Sequence, residues 1–88
     1  MLTAATKRDV IQPYQQSEQD TGSTAVQIAL LTARIRDLQG HFKTSPKDLH
    51  SLRGMMKLVS RRRKLLKYLG RQDREQYRSL LKALQIRD

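Results

Sequence analysis

The stretch "LHSLRGMMKLVSRRRKLLKYLGR", residues 49–71, carries eight Lys and Arg, no acid and one tyrosine, Tyr68. Leu52, Met55, Met56, Val59, Leu66 and Leu69 recur in it at helical intervals. It therefore reads as one long helix from about His50 to Gly70, with its apolar stripe around Leu52 and Gly70 placed to cap its end. At about 100° per residue, Arg53, Lys57, Arg61, Lys64 and Arg71 fall roughly 100–180° from Leu52. They form a basic ridge on the far side, and Tyr68 lies within it. Arg63 falls in the stripe and is expected to bridge helices or snorkel rather than to bind RNA.

Working outward, "TSPKD" (residues 44–48) breaks the pattern at Pro46. Before it, Ile28, Leu31, Ile35, Leu38 and Phe42 alternate spacings of three and four, which predicts a helix over 24–43. Thr24 and Gln27 fit a capping box at its start. After the long helix, Tyr77, Leu80, Leu81 and Leu84 share one face of a helix over 74–84. Residues 3–15 form a first helix with Val10, Ile11 and Tyr14 as its apolar face; Pro13 predicts an early end or a kink. Residues 17–24, "SEQDTGST", are a loop by composition. The expected fold class is all-α: four helices in one domain over 1–88. The second and third are long and antiparallel, and the N-terminal helix is mobile or variably docked.

Composition narrows the function. The 88 residues carry a formal net charge of +10 and no cysteine. That balance points to a polyanionic partner, and the missing thiols exclude disulfides, thiolate zinc sites and cysteine nucleophiles. No run approaches the roughly 18 apolar residues of a membrane span, and the N-terminus is no secretory signal. Aromatics make up 5% of the chain, so base stacking on many rings is not the main binding mode. There is no nucleophile motif, paired carboxylate or phosphate-cradling loop, so no enzyme, cofactor or small-molecule substrate is expected.

The ridge has a bland alternative, a solvated charged face. Such faces normally mix signs to gain pairs four residues apart, and this one has no acid to pair with. Tyr68 stacks on a base or sugar, or donates to a phosphate; the alternative is packing against the first helix along the Leu58–Leu65 edge. On the second helix Gln27, Arg34 and His41 are seven apart and follow one edge. "DTGST" (residues 20–24) precedes a helix N-terminus that can attract phosphate, or is an ordinary cap, the reading favoured by that stretch alone. His41, Asp48, His50 and Ser51 cluster at the other turn. Their spacing matches no standard metal motif. Asp48 and Ser51 suit the donors of a wide, shallow RNA minor groove, where guanine N2 is the base donor. The alternative for Asp48 is a helix cap.

"DTGSTAVQIALLTARI", "LQGHF", "KDLHSLRGMMKLVSRRRKLLKYL" and "YRSLLKALQIRD", in this order and across essentially the whole chain, resemble the bacterial-type small-subunit ribosomal protein number fifteen, the uS15 family. The resemblance implies a structural constituent of the small ribosomal subunit on a cytoplasmic, or conceivably organellar, ribosome. It implies direct and early binding of 16S ribosomal RNA at a three-way helical junction, nucleating platform assembly beside neighbouring small-subunit proteins. It also implies an intersubunit bridge with 23S ribosomal RNA. The junction residues would be Thr21, Gly22, Thr24, Gln27, Arg34, Lys64, Tyr68 and Arg71. The minor-groove residues would be His41, Asp48 and Ser51, supported by His50. Leu49 and Leu52 depart from the family's usual His and polar residues, which removes polar groups near the loop. Ala25 replaces a frequent acid, losing a helix-dipole gain of about 0.3–1 kcal/mol. The competing readings are a non-specific basic nucleic-acid binder using the ridge alone, and a helical interaction module whose charge is incidental.

Overall fold

The computed structural model describes residues 4–15 and 22–86, with side chains from residue 7 onward. Its elements are α1 (Ala4–Ile11), a 3₁₀ turn (Gln12–Tyr14), α2 (Thr24–Thr44), α3 (Leu49–Gln72) and α4 (Arg74–Leu84). The described residues contain no strand. The all-α expectation holds, and the long pair runs antiparallel through the turn at residues 45–48. Most of the loop expected over 17–24 lies outside the described residues.

Each boundary has a local cause. Pro13 has no N–H to donate and disfavours helical backbone at Gln12, so α1 stops at Ile11 and tightens into the 3₁₀ turn. The cap of α2 is Ser23 rather than Thr24: the Ser23 hydroxyl accepts from the Val26 N–H at 3.4 Å. Gln27 reaches back as a capping-box residue would, but its Nε2 donates to the Gly22 carbonyl at 2.7 Å. α3 runs two residues past Gly70, which does not cap it; the described glycines all have negative φ. Asp73 ends α3 and starts α4. Its N–H donates to the Leu69 carbonyl at 2.8 Å and its carboxylate accepts from the Gln76 N–H at 3.1 Å. At the end of α4, Gln85 takes the left-handed conformation, with φ 55°.

The core joins Ala25, Ile28 and Ala29 of α2, Leu66 and Leu69 of α3, and Leu80 and Leu84 of α4. Val10 and Tyr14 close it from the N-terminal side, and Ile11 is buried. Thr32 is the buried polar residue here. Its hydroxyl donates to the Ile28 carbonyl at 2.8 Å and accepts from Arg62 Nη1 at 3.3 Å. Arg36 donates across the bundle to the Leu84 carbonyl at the end of α4.

The stripe assigned to α3 needs correction. Leu52 and Met56 are exposed, at 41% and 56%, while Leu66 and Leu69 are buried. The buried face is therefore rotated away from Leu52 toward the Met55–Val59–Arg62–Leu66–Leu69 line. On α3, Arg62 rather than Arg63 bridges helices, through its bond to Thr32. Burial is the largest cause pulling its pKa below 12.5, followed by the nearby charges of Arg36 and Arg63. Rotating the core this way leaves the basic ridge more squarely opposite it.

Candidate nucleic-acid interface

α3 spans 24 residues, more than six turns, and carries the ridge along its length. Arg53, Lys57, Arg61, Lys64 and Arg71 are all exposed. Tyr68 stands among them 53% exposed, so it is not packed under α1. Met56, Lys57, Ser60, Arg61 and Lys64 surround a shallow depression along this face.

The Thr32–Arg62 bond ties α2 to α3 near the middle of the pair. Gln27 and Arg34 are both exposed. Gly22 is exposed and Thr24 half-buried at the start of α2. Thr21 lies outside the described residues. Of the other seven residues expected at the junction, six come from the start of α2 and the second half of α3, and Arg34 sits near the middle of α2.

At the other end the α2–α3 turn brings three of the four expected residues into direct contact. Asp48 caps α3: one carboxylate oxygen accepts from the Ser51 N–H at 3.1 Å. The other accepts from the Ser51 hydroxyl at 2.7 Å and from His41 Nε2 at 2.9 Å. A carboxylate only accepts, so His41 carries its proton on Nε2 and, when neutral, offers Nδ1 as an acceptor. These bonds hold the Asp48 carboxyl well below its ordinary 3.8. The Ser51 hydroxyl is the largest cause, followed by His41 and the Ser51 amide. His50 is exposed on the next position of α3. A hollow of about 450 Å³ opens beside His41 and Ser51, with Asp37, Leu38 and Gly40 on its walls.

Helix cap and RNA contact were alternatives for Asp48; the geometry makes them compatible. The three bonds occupy most of the roughly four acceptor positions of the carboxylate. The Ser51 oxygen, having donated its hydrogen, keeps free lone pairs toward solvent. Asp48 therefore orients Ser51 and His41 as much as it offers an acceptor of its own. The loop is closed further by the Thr44 hydroxyl and the Ser45 N–H, both donating to the His41 carbonyl at 3.0 Å. Among the described residues no three His, Cys, Asp or Glu side chains converge as a metal site. No described helix is long and apolar enough to cross a membrane.

Two sets of residues escaped the sequence reading. Arg62 was legible in principle, since it continues the Val59–Leu66–Leu69 face at intervals of three and four. Lys67, Arg74 and Tyr77 were not, because they meet only where α3 and α4 cross.

A long antiparallel helical pair with a sign-pure basic ridge along α3 and a polar, acid-anchored turn at one end defines a small, strongly basic, all-helical protein. Residues 7–87 match the family described as Ribosomal protein S15. The chain is 61% identical over 87 residues to the small ribosomal subunit protein uS15 of Francisella tularensis subsp. tularensis strain WY96-3418, covering 99% of each. It is 58% identical over 86 residues to that of Chromobacterium violaceum, covering 98% of this chain and 97% of the relative. It is 60% identical over 81 residues to that of Fervidobacterium nodosum, covering 92% and 96%. The chain belongs to the ribosomal protein S15 family.

Proposed function

We propose that this protein is a structural constituent of the small ribosomal subunit that binds 16S ribosomal RNA directly, as one helical domain. The α2 start and the C-terminal half of α3 hold a three-way junction through Thr21, Gly22, Thr24, Gln27, Arg34, Lys64, Tyr68 and Arg71. The turn reads a minor groove through His41, Asp48 and Ser51, with His50 beside them. Bridging to 23S ribosomal RNA from the same turn, and contact with neighbouring small-subunit proteins, complete the role on a cytoplasmic ribosome.

The observation that carries this reading is the His41–Asp48–Ser51 network. A carboxylate at the tip of so basic a protein repels phosphates, yet here it is locked ionised by three hydrogen bonds. It fixes Ser51 and His41 as small polar contacts, which suits groove edges rather than backbone. The ridge supplies phosphate contact and hence affinity; the two turns supply register.

The test is binding to a three-way-junction RNA from small-subunit ribosomal RNA, against a duplex of equal length, over a salt series. The expected result is junction preference that persists at physiological salt. Lys64→Ala and Arg71→Ala should each lower the salt slope by about one. Asp48→Ala should weaken binding at the minor-groove site with little change in slope. Equal, steeply salt-dependent binding to both RNAs would instead support a non-specific basic binder.

A further inference from the structure

A second basic feature shares Lys64 and Arg71 with the junction set and extends beyond it. Arg63, Lys64, Lys67, Arg71, Arg74 and Tyr77 line a groove of about 590 Å³ where α3 and α4 cross. No acid lines it. Asp73, at the turn between the two helices, is engaged with the Gln76 N–H. The Tyr77 ring lies against Gly70, about 3.5 Å from where a Cβ would stand there, so it forms a firm wall. Arg74 stacks over that ring at 5.9 Å from its centre, which fixes a cation at the rim. All five cations are exposed.

Five like charges around one concavity repel one another, and an anion laid between them relieves that repulsion. The groove shares Lys64 and Arg71 with the ridge, so a backbone seated on the ridge can continue into it. A protein partner would find little to bury: Leu66 is already in the core and Tyr77 is half-buried. A phosphate backbone needs only the charges.

We propose that the α3–α4 groove is a second phosphate-backbone site, in which Arg63, Lys67 and Arg74 hold an RNA strand running on from the ridge. This rests on the RNA-binding reading above but not on the junction assignment. The strand crosses from α3 toward α4, so the site extends the footprint beyond the residues that face Tyr68. Lys64 and Arg71 then serve both sides.

The experiment uses the full chain and an Arg63→Ala/Lys67→Ala variant. Both positions are exposed mid-helix sites where Ala is a good helix former; circular dichroism verifies an unchanged fold. Binding is measured over a salt series to the three-way-junction RNA with long arms, to the same junction with trimmed arms, and to a long duplex. At about 0.7–0.9 per phosphate, the variant should lose roughly 1.4–1.8 from the slope on long-armed RNA and nothing on trimmed RNA. An unchanged slope on long-armed RNA overturns the groove site and leaves its charge to another class of anion, such as an acidic peptide. Loss of slope on junction and duplex alike, with no junction preference in the parent chain, keeps the groove and removes the junction reading.

Discussion

At the α4 end of the α2–α3 hairpin, Ile28, Leu66 and Leu69 are enclosed by α4 on one side and by Val10 and Tyr14 on another. At the turn end no third layer covers the same two helices among the described residues. Buried residues of α2 stop at Ile35, and α3 has none before Leu66. Leu49, Leu52 and Met56 stand open to solvent there, at 66%, 41% and 56%. Hydrogen bonds take over where the core ends: Asp48 joins Ser51 and His41, and the turn closes on the His41 carbonyl. One end is thus held by area removed from water, the other by a few directed polar contacts. Two packed layers are the minimum for a core, and two lone helices cannot bury both of their faces.

This contrast breaks most readily under core truncation. Leu66→Ala should cost about 2–5 kcal/mol, because it opens a cavity in the core shared by three helices. Leu52→Ala at the open end should stay within about 0.5 kcal/mol. Urea denaturation followed by circular dichroism decides it; comparable losses would mean that the turn end is packed after all. A smaller effect belongs to the caps. Ser23→Ala removes the acceptor for the Val26 N–H and should lower stability by about 1 kcal/mol, since α2 starts inside the core end. Gly70→Ala should be neutral or stabilising by up to about 1 kcal/mol. Its Cβ would meet the Tyr77 ring at an ordinary 3.5 Å while the helix loses a flexible residue. A clear loss of stability would show that Tyr77 cannot yield.

The smallest global effect is expected from acid at the turn. The folded pKa of Asp48 lies below the ordinary 3.8, so its stabilising bonds are fully present above about pH 4. They are lost only as pH falls through the lower folded value. The Ser51 amide resonance should therefore show no carboxylate step with a midpoint near 4, because that step lies lower. A shift of that resonance with a midpoint near 4 would dissolve the network. Asp48→Asn, which still caps a helix, separates the charge from the cap.

Much of the fold was legible in particular residues. The Ile28–Leu31–Ile35 spacing announced α2, Tyr77–Leu80–Leu84 announced α4, and Pro13 announced the end of α1. The errors have physical causes. Leu52 and Met56 fit a helical stripe as well as Leu66 does, because periodicity records which face is apolar but not whether anything covers it. Thr24 and Ser23 are chemically equivalent caps, and only backbone geometry chose Ser23. Gly70 carries the residue type of a helix end, yet α4 packs against it and Asp73 supplies the stop two positions later.

The candidate interface divides in the same way. The sign-pure run of cations, its Tyr68 and the Asp48–Ser51 spacing are local along one helix, and helical geometry alone puts them on the ridge or in the first turn. The sequence by itself therefore determined the helices, the polarity of their faces and the charge that seeks a polyanion. Tertiary structure alone decided that His41 reaches Asp48, that Arg62 rather than Arg63 bridges to Thr32, and that Lys67 and Arg74 converge on one groove. Those residues lie on different helices, and their meeting depends on register and crossing, which burial of the shared core sets and no local spacing encodes.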